Sequence, residues 1–294
     1  MEALVATDVD RGIMETCSGS NYVAEPVLVR KKSGDWRLTM DYRRINDKMR
    51  LDGYPLPRPV DIFDALYGMK VFSKLDAWRG YHQLKVNPSD RHKTAFRTPK
   101  GLYQYRRMPM GMKNSGAAFQ RKMEVVLKGL LGKICEVYLD DILVFSVDLK
   151  QHIIDLGLVL ERLLNACITL RLSKCEFMVA KLLFLGHVVS EGTLSTDPEK
   201  TKSIANMAPP DSVTAVKRFL GMVGYYRRFF KDFGEIALPL TDLTKKRPGK
   251  FVLTPEAIKA FDYLRLGMLK EPILKMPDFD KPFRIRPDAS DKAI

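Results

Sequence analysis

"ICEVYLDDILVFS", residues 134 to 146, sets Asp140 and Asp141 side by side in an otherwise apolar, β-forming run. Charge buried in such a run is costly unless it is paired, metal-bound or lifted out of the sheet at a turn. A tight hairpin resolves part of the puzzle: "ICEVY" and "ILVFS" become antiparallel strands, and both aspartates emerge at the rim of the sheet. Like charges in contact raise each other's pKa and call for a counter-charge. Taken alone, the tetrapeptide is equally well an aspartate-rich turn facing water, since Asp is an ordinary turn residue.

A third carboxylate shifts that balance. "KLDAW" places Asp76 in another apolar strand pattern, 64 positions before Asp140, a separation local structure does not explain. Hard divalent cations such as Mg²⁺ take oxygen ligands and use one or two protein carboxylates each, leaving room for substrate phosphates. Three carboxylates converging from two neighbouring strands could hold two such ions about 3.5 to 4 Å apart, the arrangement that activates an attacking hydroxyl and stabilises a leaving oxygen.

The bulk properties agree. With 294 residues and 46% hydrophobic content, the chain has material for about two domains with real cores. Lysine and arginine total 49 against 35 acidic residues, a formal charge of +14 that points to a polyanionic partner, nucleic acid foremost. A basic protein with three converging carboxylates is a candidate for nucleotidyl transfer. Cys17, Cys135, Cys167 and Cys175 form no C-x-x-C pair and do not group with histidines at zinc-ligand spacing, which reads as reduced thiols of an intracellular protein. The sequence shows no charged-then-apolar leader, and its most apolar stretch, "FMVAKLLFLGHVV", is interrupted by Lys181 and His187, so neither secretion nor a membrane span is expected.

Along the chain, "EPVLVRKKSGDWRLTMDYR" suits a hairpin with a basic, Gly-containing loop, and "DGYPLPRPV", with Pro55, Pro57 and Pro59, an extended connector. "DIFDALYGM" reads as a short helix ending at Gly68, and 71–86, "VFSKLDAWRGYHQLKV", as strand. Helical spacing follows at 116–131 (Phe119, Met123, Val126, Leu127, Leu130) and at 149–168, where Ile153, Leu156, Val159, Leu160, Leu163 and Leu164 share a face. After strands in "LLFLGHVVS", helix starts appear at Asp197–Pro198, Asp211–Ser212 and Thr254–Pro255. The expectation is a mixed α/β body to about residue 190 and a mostly helical appendage after it.

The motifs "FSKLDAWRGYHQL", "KTAFRTPKGLYQYRRMPMGMKNSGAAFQ", "VYLDD", "LSKCEF" and "FLGHVVS", in this order and spacing, closely resemble the reverse transcriptases of gypsy-type LTR retrotransposons, relatives of the retroviral enzymes. The resemblance continues through "DPEKTKSIANMAPP", "VKRFLGMVGYYRRFFKDF" and "PLTDLTKK", covering nearly the whole chain. Y-x-D-D alone is a weak signal; the ordered set is very specific.

The resemblance implies an α/β right-hand polymerase: fingers at 1–68 and 85–118, palm at 69–84 and 119–190 with an antiparallel sheet plus helices, and a mostly helical thumb and connection at 191–275. It implies RNA-directed DNA polymerase activity with two Mg²⁺ ions, replaceable by Mn²⁺, held by Asp76, Asp140 and Asp141. Tyr81, five positions after Asp76, matches the aromatic residue that blocks a ribose 2′-hydroxyl. Arg37 and Lys31 match the hairpin cations that offset triphosphate charge, and Lys174 the lysine proposed to protonate the leaving pyrophosphate. Met110 and Gly111 fall in the segment supporting template and new base pair. Here the chain departs from the usual pattern, with Met110 where the family has Phe and Gly116 where it has Pro. Leu185, Gly186 and His187 match the hairpin that holds the primer end, although His187 reads equally as a half-buried strand residue.

Arg97 and Arg106 lie in a basic, aromatic-interleaved stretch, 91–107, expected to grip primer and template through phosphates; 213–233 is a second such stretch, its rings mostly core. Implied partners are an RNA template, a DNA primer-template hybrid, dNTPs and the RNase H and integrase domains of the polyprotein, with no membrane, in the cytoplasm and in virus-like particles. "FRIRPDAS" resembles the first strand of an RNase H domain with Asp288 as its first metal-binding aspartate, so 276–294 is expected to be a truncated start of that domain without its activity. The alternative reading is a catalytically silent remnant that binds nucleic acid.

Overall fold

The structure is a computed structural model that describes residues 1–30, 34–245, 251–270, 273–278 and 281–282. Two compact units emerge, each assembled from two chain segments: Met1–Pro59 with Phe72–Met178, and Val60–Val71 with Val179–Ile294.

The first unit is organised by the hairpin at its sequence centre. Cys135–Tyr138 pairs antiparallel with Asp141–Ser146, Cys135 opposite Val144 and Tyr138 opposite Asp141, so that Leu139 and Asp140 alone make the turn. These strands belong to a four-stranded sheet in the order Cys135–Tyr138, Asp141–Ser146, Val71–Asp76, Glu176–Val179, which sets the strand of Asp76 beside that of Asp141. Side chains alternate across a strand. Leu75, Val137, Ile142 and Val144 therefore share one face, buried against Phe119 and Met123 of helix Ser115–Val126 and Leu156, Val159 and Leu163 of helix Leu149–Asn165. Removing one such ring, as in Phe119→Ala, costs about 3–5 kcal/mol. By the same alternation Lys74, Asp76 and Asp141 share the opposite face.

Three local readings change on contact with tertiary structure. The strand expected over 71–86 stops at Asp76; Arg79 takes a left-handed conformation (φ 51°) and Gly80–Gln83 forms a 3₁₀ turn. Tertiary partners take the backbone groups that a strand would need: Ala77 N–H donates to the Asp140 carbonyl (3.1 Å), Trp78 N–H to that of Thr169 (2.9 Å). On helix Leu149–Asn165, Leu156, Val159 and Leu163 are buried as expected, but Ile153 and Leu164 are 56% and 75% exposed, and His152 and Asp155 are buried in their stead. The connector expected to be extended over 52–60 has neither helix nor strand at 52–58, and its last two residues, Pro59 and Val60, already belong to helix Pro59–Asp64; Arg121 of helix Ser115–Val126 holds its start through Asp52 (2.6 Å).

A smaller core in the same unit joins Val5, Ile13, Met14, Met40, Tyr42, Phe96 and Tyr105 beneath the expected hairpin Glu25–Arg30 and Trp36–Asp41. Lys31 lies outside the described residues, as does Asp288.

The longer segment of the second unit begins at Val179, earlier than the composition change near 190, because Lys181–Phe184 and His187–Ser190 build an antiparallel sheet with Thr193–Thr196 and Ile273–Lys275. Its helices Pro198–Ala205, Val213–Gly224 and Pro255–Gly267 start where capping chemistry predicts: the side chains of Asp197, Ser212 and Thr254 accept from backbone N–H groups in the first turn, with Ser212 rather than Asp211 as the cap. Val216, Phe219 and Val223 join Tyr226, Leu240, Phe261 and Leu264 in the core of this unit.

Candidate active site

The two-residue turn between Tyr138 and Asp141 is strained. Leu139 has φ 54°, the left-handed region that costs a non-glycine residue about 1 kcal/mol or more. Gln120, buried on the helix below, holds it: its Oε1 accepts from Leu139 N–H (2.8 Å) while its Nε2 donates to the Val137 carbonyl (3.1 Å).

That turn tucks the Asp140 carboxyl against Gly80. A Cβ at Gly80 would run into Asp140 Oδ1 and lie 3.2 Å from the Phe119 ring, so the position accepts no side chain while Asp140 stays in place. Burial, then the charges of Asp141 and Asp76, push the Asp140 carboxyl up to about 6, against a smaller opposing pull from Lys174. Its Oδ1 is buried and has no hydrogen-bond partner among the described residues. Burial likewise raises Asp141, opposed first by Lys74, whose Nζ lies 3.7 Å from Asp141 Oδ1. Lys174 Nζ stands 3.4 Å from Asp76 Oδ2, and Cys175 Sγ accepts from Asp76 N–H at 3.4 Å. The structure thus brings Asp76, Asp140, Asp141 and Lys174 into one electrostatic group with Lys74. Among the described residues, no three His, Cys, Asp or Glu side chains stand close enough to hold a metal ion as they are placed; lysines supply the counter-charge.

Tyr81 flanks the group, its ring edge-on to Phe119 (5.8 Å between centroids) and its hydroxyl made less acidic by burial and then by Asp140. The missing side chain of Gly116 also matters here: a Cβ there would sit 3.3 Å from Leu139 Cδ2 and 4.0 Å from the Tyr81 hydroxyl. Gly111 turns with φ 90°, its carbonyl accepting from Asn46 Nδ2 (2.8 Å), and Met110 beside it is half-buried.

The remaining expected residues sit on other elements. Arg37 is exposed on strand Trp36–Asp41. Arg97 pairs with Glu25 at 2.5 Å and Arg106 with Glu15 at 3.4 Å, so both cations carry a carboxylate partner. In the second unit, Leu185 (φ 45°) and Gly186 form the tight turn, and their carbonyls accept from the Tyr225 and Tyr226 hydroxyls. His187 is buried inside a cage of Phe63, Tyr225, Tyr226 and Phe229, and burial lowers its pKa. What this turn presents is therefore backbone, not imidazole.

Sequence reasoning missed Lys74, Gly80 and Gln120, and also a polar network behind the sheet. Ser146 Oγ donates to Asp155 Oδ2 (2.6 Å), so it accepts from His152 Nδ1–H (3.0 Å); His152 Nε2 is then the acceptor for the Ser73 hydroxyl (2.7 Å), which in turn accepts from Met178 N–H (2.9 Å). One neutral tautomer satisfies every member. The network joins the strand of Asp76 to the strand of Asp141 from the core side.

No helix among the described residues is long and apolar enough to cross a membrane. Residues 29–189 match the family described as reverse transcriptase (RNA-dependent DNA polymerase). The retrovirus-related Pol polyproteins of the Drosophila melanogaster transposons 297 and opus are 38% and 39% identical over 94% of this chain, which spans 27% and 29% of their lengths. That of transposon gypsy is 38% identical, again over 94% of the chain. In three dimensions the chain is similar to a foamy viral protease-reverse transcriptase solved with double-stranded DNA (TM-score 0.87, 24% identity, 94% of this chain and 49% of that one). A second such structure holds an RNA/DNA hybrid (TM-score 0.80, 24% identity, 92% and 36%). These structural likenesses establish the mixed α/β polymerase fold. The chain belongs to the reverse transcriptase (RNA-dependent DNA polymerase) family, with gypsy-type retrotransposon Pol polyproteins among its relatives.

Proposed function

We propose that this chain extends a primer 3′-hydroxyl with dNTPs on an RNA or DNA template, using Asp76, Asp140 and Asp141 to hold two Mg²⁺ ions. The observation that carries the reading is the buried Asp140 Oδ1, without a hydrogen-bond partner among the described residues, on a carboxyl already raised to about 6 by burial and two neighbouring carboxylates. Such an oxygen is costly unless a cation takes the place of the missing donor. When bound, the ions would supply activation of the attacking hydroxyl and charge neutralisation at the leaving pyrophosphate.

The chain's own residues have distinct tasks. Gly80 leaves room for the Asp140 carboxyl, and Gln120 fixes the turn that carries it. Lys174, now on Asp76, is the cation that would give a proton to the leaving pyrophosphate, while Lys74 steadies Asp141. Tyr81 limits the space beside a sugar C2′. Residues 1–68 and 85–118 act as fingers, 69–84 and 119–190 as palm and 191–275 as thumb; Arg37 meets the triphosphate, and Arg97 and Arg106 meet backbone phosphates by exchanging their present carboxylate partners.

Primer extension on an RNA template with Mg²⁺ tests the proposal. The unmodified chain extends the primer, and Asp140→Asn lowers the rate by about 10³-fold or more, as expected for loss of a transition-state electrostatic contact. No extension by the unmodified chain, or equal extension by the variant, would sink the assignment.

A further inference from the structure

The first unit contains a second concave feature that the carboxylate site does not use. A cavity of about 700 Å³ is walled by five cations, Arg11, Arg79, Lys85, Arg107 and Lys122, around Trp78, and no Asp or Glu lines it. Arg79 pairs with Asp8 at 2.5 Å; among the described residues, the other four form no ion pair. The guanidinium groups of Arg11 and Arg79 each lie 5.7 Å from the Trp78 ring centroid, which holds their forks over an indole that is 40% exposed. Four uncompensated cations on one concave wall repel each other, and an anion inside relieves that repulsion where the walls limit screening.

The shape selects among anions. The cations converge on a cavity of small-ligand size instead of lining up along a track, which is what a single-stranded nucleic-acid backbone would need. Guanidinium forks match phosphate oxygens bidentately, and several charges at close quarters suit an anion that concentrates three or four negative charges in one small body. We propose that this cavity binds a condensed phosphate, either free pyrophosphate or the triphosphate tail of a nucleotide, at a site separate from Asp76, Asp140 and Asp141. The inference stands on charge and shape and does not depend on the polymerase reading.

The chain has two tryptophans, so Trp36→Phe leaves Trp78 as the sole indole reporter; Trp36 is itself exposed and tolerant of the change. In EDTA, sodium pyrophosphate changes Trp78 emission saturably, with half-saturation below about 1 mM. Arg11 and Lys122 are exposed, so Arg11→Gln with Lys122→Gln keeps the fold, checked by far-UV circular dichroism, and weakens binding about tenfold or more. Asp140→Asn with Asp141→Asn leaves it unchanged. ATP binding about tenfold tighter than pyrophosphate, with deeper quenching, assigns the nucleotide tail as the source; equal binding assigns the free anion. The proposal falls if no saturable change appears up to about 10 mM, if the response survives loss of Arg11 and Lys122, or if a single-stranded oligonucleotide outcompetes both anions.

Discussion

Asp140→Asn is expected to make the metal-free protein more stable while removing its activity, and the size and pH profile of the gain follow from the geometry. Burial beside Gly80, with Asp141 and Asp76 close by, raises the carboxyl from 3.8 to about 6. At about 1.4 kcal/mol per unit that is roughly 3 kcal/mol, and because the group keeps some contact with solvent we halve it to about 1.5 kcal/mol. The sign follows from which state loses its proton first. Below the unfolded value both states are protonated and the charge costs nothing; as pH rises the unfolded chain ionises first, so stability falls between about pH 4 and pH 6 and the full cost remains above that. The asparagine variant carries no such cost. Differential scanning calorimetry in EDTA therefore shows a Tm gain of about 3–6 °C near pH 8 that vanishes near pH 4. Added Mg²⁺ reverses the order, raising the Tm of the unmodified protein and leaving the variant where it was. No gain near pH 8, or the same gain near pH 4, would refute the account of Asp140 as a desolvated, unpartnered carboxylate.

Gly80→Ala forces its new methyl into Asp140 Oδ1, and primer-extension kinetics are expected to show kcat lowered about 10²-fold with little change in KM for dNTP. Tyr81→Val opens the space beside the sugar; the ratio of kcat/KM for dNTP over rNTP is expected to fall by about 10- to 200-fold, the range that one pocket contact supplies. His152→Gln leaves Ser73 or Ser146 without its partner and costs about 1–3 kcal/mol in urea unfolding. His152 also sets an acid limit. Burial lowers its pKa, so its contribution is present above the unfolded value of 6.5 and is lost as pH falls through the lower folded value; Ser73→Ala, which removes the hydroxyl donating to the ring, is expected to blunt that loss.

The hairpin of Asp140 and Asp141 was legible because apolar strands, a turn and two carboxylates occur within 13 residues, and Asp76 was legible because its apolar surroundings gave it no local reason to be charged. Lys74 could have been found from the same pattern: two positions before Asp76, it must face the same side of the strand. Gly80 left no such mark, since what fixes it is the Asp140 carboxyl, 60 positions later in the chain. The strand reading ran on past Asp76 for the same reason, as its alternation continued while its hydrogen bonds went to Thr169 and Asp140. His152 hid because the hydroxyls that justify burying it lie on two other elements, Ser73 being 79 positions away. Reading Ile153 and Leu164 as core followed from counting apolar residues when polar ones, paired elsewhere, had taken the inward positions.

The interleaving of the two units constrains how the chain can be made. Residues 60–71 belong with 179–294, so the ribosome delivers that short piece of the second unit long before the rest of it. Ile62, Phe63 and Leu66 end up buried, and Phe63 rests on His187. At roughly 5–20 residues per second their partners arrive about 6 to 24 s later. During that interval the nascent chain carries a greasy segment whose partners are still to be made, while residues 72–178 of the first unit are synthesised after it. We therefore expect translation speed, and any chaperone that shields short apolar segments, to govern the yield of this protein more than they would for a chain whose units follow one another in order.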